Sequence, residues 1–427
     1  MMKLKTALVA ASAAAGLYAG SAHAQEALEG HGVEISPGTV LHPNLGAEFG
    51  VIDNVFYEQD TTVTSSLIRL TANFAIASEK ITAEEPVPGE EPANEPAPQT
   101  FQFRASGGLR YEEFLYYDNF STAAQRNLAF DTQAHLQVYP EGTWSFIADD
   151  RLTRDIRPRN FEDPSSTNRI DNLLDLGLRY QPGGRSLSGT LRYQNMLDVF
   201  EGASGVANRM NHTLGARADW QWLPYTRFFA DANVGFFGPL GSAQPIGGGL
   251  VKASSVPIRG LVGVATVLSE PLTLKAHAGW AYGSYSAGEG FNGPLFDAEL
   301  GYAYSPLGRV VLEYNYDYED SVNANYYRDH KFTAKLDQQI IEKLLVTGGV
   351  DLRLRGYRGI TDIGMPNRDD VIFSGTARAQ YVLTDRYYLT ATYRAWIDQT
   401  NYVTNFQGMD DPSYTRQEFM AGAHAAF

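Results

Sequence analysis

Long runs of strictly alternating side chains constrain this chain more than any other feature. Tyr387, Leu389, Ala391, Tyr393, Ala395 and Ile397 are apolar, while Tyr388, Thr390, Thr392, Arg394, Trp396 and Asp398 fill the positions between them. Val310, Leu312, Tyr314, Tyr316 and Tyr318 alternate in the same way with Val311, Glu313, Asn315, Asp317 and Glu319. Leu187, Gly189, Leu191 and Tyr193 alternate with Ser188, Thr190, Arg192 and Gln194, and the stretch from Phe101 to Tyr117 carries Arg104, Arg110 and Glu112 on its polar side. Successive side chains of a strand point to opposite faces, so each segment has one apolar and one charged wall.

The punctuation between these runs is regular. Prolines mark tight connections at Pro140, Pro182, Pro224, Pro271 and Pro306, with further short turns near Gln339 and Thr384. Longer polar loops alternate with them, such as Arg154 to Asn168, Gly238 to Ser255 and Thr400 to Ser413. The proline spacings of 42, 42, 47 and 35 residues also suit a β-propeller blade, but a blade would divide that length into four short strands. Here each period holds two long ones, and about 9–11 residues per strand are enough to cross a bilayer. Short turn, long strand, long loop, long strand is the order expected of an all-β, transmembrane, antiparallel up-and-down barrel.

Eighteen strands are predicted, near 40–56, 64–77, 101–117, 124–138, 143–153, 169–180, 186–197, 210–222, 225–236, 257–268, 271–285, 294–304, 308–319, 328–338, 343–355, 369–383, 386–398 and 414–427. The first two and the fifth alternate least regularly, which makes 16 the alternative count. An even number puts both termini and the short turns on the periplasmic side, with the long loops outside.

The N-terminus fits export. Met1 to Lys5 are basic, Thr6 to Gly20 are small and apolar, and Ala22-His23-Ala24 reads as a cleavage site, so residues 1–24 are expected to be a signal peptide. The organisation expected is then a periplasmic leader at 25–39 and a barrel at 40–427. No later stretch approaches the 18 or so consecutive apolar residues of a spanning helix. Removing Lys3 and Lys5 leaves 32 Lys and Arg against 49 Asp and Glu, a net charge of −17. Such a chain has no basic stripe for nucleic acid. With no cysteine it has neither a disulfide framework, a thiolate metal site nor a thiol nucleophile.

Two terminal and insertional features stand out. Phe419, Ala421, Ala423, Ala425 and Phe427 form one apolar face, with Arg416, Glu418 and His424 on the other. A last strand closing on a terminal Phe, here Phe427, resembles the signal read by the barrel-assembly machinery of outer-membrane proteins. Between the second and third strands, Glu84 to Pro98 holds five Glu and five Pro without a Lys or Arg. That composition disfavours helix, sheet and core alike, and predicts a solvated periplasmic spacer or a docking segment for a partner.

The charged wall is where function is expected. By alternation it includes Arg104, Arg110, Arg179, Arg192, Glu313, Asp317, Lys331, Lys335, Asp351, Arg353, Arg355, Arg394 and Asp398. Such residues serve either as a wet, mutually compensated interior or as a lining that selects solutes, because rings of charge set pore selectivity. The Gly-rich loop Gly238 to Ser255 is expected to lie on the surface, with a fold into the lumen as its alternative. Enzymatic signatures are missing: the seven histidines beyond the expected signal peptide, His31, His42, His135, His212, His277, His330 and His424, form no HExxH pair, and no GxSxG elbow appears. No cofactor or metal is implied.

Several stretches are similar to a known family. LHPNLGAEFGVIDNVFYEQ (Leu41 to Gln59), SSLIRLTANFAIASE (Ser65 to Glu79), the Arg157 to Arg159 loop and NRIDNLLDLGLRYQPGG (Asn168 to Gly184) resemble the putative β-barrel porin type 2 family. The Glu/Pro insertion departs from it. The resemblance implies an outer-membrane channel, in some members tied to exopolysaccharide production and working with a periplasmic polysaccharide-export protein. It assigns no catalytic residue. Polysaccharide export is therefore the leading expectation, with a general or solute-specific diffusion porin as alternative and a closed structural or surface-binding barrel as a third. Outer-membrane lipid and the assembly machinery are the other expected partners.

Overall fold

The structure, a computed structural model, describes residues 32–36, 39–60, 62–78, 100–115, 125–155, 168–183, 186–201, 208–240, 245–246, 250–251, 253–321, 324–359, 368–401 and 413–427. The expected signal peptide, most of the leader, the Glu/Pro segment 84–98, the Arg157 to Arg159 loop and part of the loop from Gly238 to Ser255 lie outside them.

Eighteen strands of 12 to 16 residues form one closed antiparallel barrel. They run Thr39–Ile52, Ser65–Ser78, Phe101–Phe114, Asn127–Val138, Trp144–Asp155, Arg169–Tyr180, Leu187–Phe200, Arg209–Leu223, Thr226–Pro239, Ser255–Ser269, Leu272–Tyr285, Phe291–Ser305, Gly308–Asp320, Tyr326–Ile341, Leu344–Arg358, Asp369–Val382, Tyr387–Thr400 and Tyr414–Ala426. Each pairs with its sequence neighbour, and closure comes from the first strand pairing with the last, from Asn44 opposite Ala426 to Ile52 opposite Glu418. Phe427 completes the seam by donating its N–H to the Pro43 carbonyl at 2.9 Å. Closure leaves no open edge, the condition for a sheet to sit in lipid. A short strand outside the expected set, Val33–Ser36, folds back onto Thr39–Leu41.

Turn chemistry sorts the two ends. Pro224-Tyr225, Glu270-Pro271, Pro306-Leu307 and Glu342-Lys343 make two-residue links, each with a register shift in the adjoining pair. The shifts are bulges that let a right-twisted strand pair reverse within two residues. Every connection at the opposite end is longer.

Alternation becomes burial. In Thr39–Ile52, Leu45, Ala47, Phe49 and Val51 face out, while Asn44, Glu48 and Ile52 are buried. The same holds round the wall, where Leu191 and Val262 are over 60 % exposed. Aromatic side chains gather on the outer face at the short-turn end. Trp144 lies 4.7 Å from Tyr180, Trp220 stacks near Trp222 and Phe228, and Tyr302 lies near Tyr304. Amphipathic rings in a belt beneath an apolar band are the mark of a membrane interface.

One seam departs from the pattern. Strands Phe291–Ser305 and Gly308–Asp320 pair only from Phe296 opposite Tyr316 downwards. The face expected to run from Val310 to Tyr318 breaks at its end. Tyr318 is buried against Ala281, Phe291, Leu295 and Tyr326, so the strand tip turns inward rather than facing out.

Candidate functional site: the lumenal wall

The inner wall carries the charge that the apolar outer face excludes. All thirteen candidate lining residues lie on the face opposite the exposed apolar side chains, as strand parity requires. Most are engaged by an opposite charge on a neighbouring strand. Arg110 pairs with Asp155 and lies 3.3 Å from Glu112, Arg192 pairs with Asp175, and Lys335 meets Glu313 at 2.7 Å. Arg355 holds Asp329 at 2.7 Å, Lys331 lies 3.7 Å from Asp351, and Arg394 meets Glu418 at 2.8 Å. Asp317 lies 3.5 Å from Arg259, and Arg179 donates to the Pro140 carbonyl at 3.0 Å. Arg353 and Asp398 are buried in the wall, whereas Arg104 is exposed to the lumen near the short-turn end.

The tightest constellation sits at the closing seam. Arg69 donates to Glu112 at 2.8 Å, to Glu48 at 3.1 Å and to Glu418 at 2.8 Å. One guanidinium thus links the first, second, third and last strands. All four side chains are nearly fully buried, so their mutual attraction is screened little by water. His424 extends the network, lying 3.5 Å from Glu48, bonding Thr390 at 3.0 Å and stacking on Tyr388 at 4.7 Å. Tyr388 in turn accepts from Asn44 at 2.9 Å.

Similar knots recur towards the long-connection end. Asp198 sits between Arg169 at 2.5 Å and Arg209 at 2.8 Å. Several of these arginines lie over aromatic rings: Arg355 is 3.8 Å from the Tyr327 ring, Arg217 4.3 Å from Phe229, and Arg416 4.3 Å from Tyr57. A planar guanidinium suits both uses, since its edge binds carboxylates while its face stacks on a ring.

The sequence analysis does not single out Arg69, Glu48, Asp198, Arg209 or Arg259, and it places Glu418 on the polar face of the last strand without assigning it to the lining. Parity places each inside, as with Arg69 between Ile68 and Leu70, but the register that brings particular charges level across the strands is not a local property. Of the two ambiguous histidines, His135 faces inward and bonds Asp149 at 2.6 Å. His212 lies on the outer face, bonding Tyr193 at 2.8 Å and Asn195 at 3.2 Å.

A closed barrel with an apolar, aromatic-belted exterior and a charged interior defines a porin-like outer-membrane β-barrel. The family model described as "Putative beta-barrel porin 2" matches residues 109–427, and the chain belongs to that family. The matched span begins after the Leu41 to Gln59 and Ser65 to Glu79 stretches. No curated protein matches the chain. Among solved structures it is similar to OpdK of Pseudomonas aeruginosa, at 8 % identity and a TM-score of 0.45 over 91 % of this chain and 99 % of that one. It is also similar to OccK2 (OpdF) of the same organism, in complex with glucuronate, at 10 % identity and 0.45 over 91 % and 98 %. The siderophore receptor PirA of Pseudomonas aeruginosa gives 7 % identity and 0.40 over 91 % and 80 %.

Proposed function

We propose that the protein is an aqueous conduit in the outer membrane of a Gram-negative cell, and that its cargo is an exopolysaccharide leaving the periplasm. On this reading residues 1–24 are cleaved as a signal, the short turns and the Glu84 to Pro98 segment face the periplasm, and the long connections face outward. The observation that carries it is the pairing of opposite charges along the lumenal wall, from Arg69 with Glu48 to Lys335 with Glu313. A lining neutralised pair by pair presents many weak polar sites and no strong field of one sign. Passage requires binding weak enough to release, and a hydrated polymer crossing such a wall meets no deep electrostatic trap. Eighteen strands also give a width between barrels filled by their own side chains and the plugged 22-stranded transporters.

The polymer itself comes from the family resemblance, as do a periplasmic polysaccharide-export protein docking near Glu84 to Pro98 and assembly through the Phe427 signal. One observation favours the second reading, a diffusion porin for small solutes. The inward-turned tip at Asp317 to Asp320 narrows the mouth. Deleting the gene separates the two. Export predicts loss of surface polymer with small-solute uptake unchanged, and a diffusion porin predicts the reverse.

A further inference from the structure

We propose that the strand tips Asp317–Asp320 and Tyr326–Asp329 form a gate at the long-connection mouth, latched shut by Arg209, Ser255, Arg259 and Tyr285 and opened by zipping onto Phe291–Leu295. This rests on the conduit reading and adds a moving part to it.

The latch is a set of contacts over the inner face of the neighbouring wall. The Asp320 carbonyl accepts from Arg209 at 3.3 Å, and its Oδ1 accepts from Ser255 Oγ at 2.8 Å and Tyr285 Oη at 2.6 Å. The Arg259 guanidinium donates to the Tyr318 carbonyl and lies 3.5 Å from Asp317. These donors belong to strands Arg209–Leu223, Ser255–Ser269 and Leu272–Tyr285. Four strands separate the first of them from the tip along the wall. At about 4.8 Å per strand, no arginine spans that arc, so the tip has left the wall and crosses the inner face.

The sequence explains why this seam yields. Continuing the register of Phe296 with Tyr316 would set Leu295 opposite Asp317, Pro294 opposite Tyr318 and Gly293 opposite Glu319. Pro294 has no N–H to give, so the ladder is weakest there. In the latched state the tip's aromatic side chains are sheltered instead. The Tyr318 ring lies 5.2 Å from Phe291, and Tyr326 lies 5.4 Å from it. Asn325 pins the turn by donating to the Ala287 and Glu289 carbonyls at 2.9 and 3.0 Å.

The alternative state exchanges one set of partners for another. Zipping would pair backbone groups of Phe291–Leu295 and Asp317–Asp320 that no strand ladder joins now, as buried backbone demands. Arg209 would keep Asp198 at 2.8 Å, Arg259 would exchange the Tyr318 carbonyl and Asp317 for lumenal water, and Asp317 and Asp320 would return to the wall. Two alternative hydrogen-bonded arrangements of one element make a bistable device rather than a graded one.

The native chain has no cysteine, so introduced pairs are unambiguous. The test is planar-bilayer conductance of the refolded barrel carrying Ser255→Cys with Asp320→Cys, oxidised and then reduced. A second variant, Leu295→Cys with Asp317→Cys, traps the zipped seam. The gate predicts that oxidation of the first pair abolishes or sharply lowers conductance, that reduction restores it, and that oxidation of the second raises it. A first-pair disulfide that never forms, or forms without effect on conductance, overturns the gate. If wild type is silent but the oxidised second variant conducts, the gate stands; if neither conducts, the conduit reading fails and the gate with it.

Discussion

Arg69 on the second strand donates to Glu418 on the last at 2.8 Å, and the same guanidinium reaches Glu48 and Glu112. The residue that ties the barrel's two ends together is therefore a buried cation among three carboxylates. Removing it leaves those carboxylates facing one another in a site that excludes water.

Arg69→Met should be strongly destabilising. Deleting one partner of a buried ionic network costs up to about 3–5 kcal/mol where a charge is left uncompensated, and here Glu418 keeps Arg394 and Glu112 keeps Arg110 while Glu48 is left with His424. The urea midpoint of the barrel refolded in lipid vesicles reports the loss. An unchanged midpoint would mean that the closing seam does not depend on this cluster.

The two faces should respond oppositely to a new charge. Val262, about two-thirds exposed on the outer wall, lies midway along Ser255–Ser269. An arginine at a lipid-facing midplane position costs roughly 2–4 kcal/mol. Gln133→Arg, on the inner face among Asp131 and Arg151, should cost far less. The same urea titration compares the variants, and equal penalties would contradict the assignment of faces.

Charges open to the lumen should set ion preference. Arg104 and Lys335 are both exposed on the inner face. Replacing each with Glu in one variant should move the zero-current potential under a salt gradient towards cation selectivity. A lining that ions pass without sensing would leave that potential where it was.

Acid should release one pair at the long-connection end. Arg154 holds Glu201 through bonds of 2.7 and 2.9 Å, and this hydrogen bonding keeps the Glu201 carboxyl below its ordinary range. A depressed carboxylate contributes stability above its unfolded pKa, lost as pH falls through the folded one. Arg154→Ala should therefore lower the urea midpoint at neutral pH and converge with wild type in acid. A gap that persists below that range would assign the effect to lost packing instead.

Much of this is legible in the sequence alone. Strand number and boundaries follow from parity and turn residues because both are local. The run from Leu344 to Arg358 shows it, predicted near 343–355. The parity of Arg394 or Asp351 is equally local. What parity does not carry is the register in which the strands meet, at the closing seam above all, so the cluster around Arg69 is not legible from it. Nor does it report where a strand stops obeying its neighbours. Tyr318 reads as one more outward tyrosine after Tyr314 and Tyr316, yet a proline on the adjoining strand frees its backbone to turn inward.

The most direct test of the central claim is single-channel conductance of the refolded wild-type barrel in a planar bilayer, with and without the cell's own surface polysaccharide. The account predicts steady conductance steps that the polymer blocks. Conductance indifferent to the polymer would leave a diffusion porin, and a barrel that passes no current under any condition, including with the seam trapped open, would contradict the claim that this wall lines a conduit.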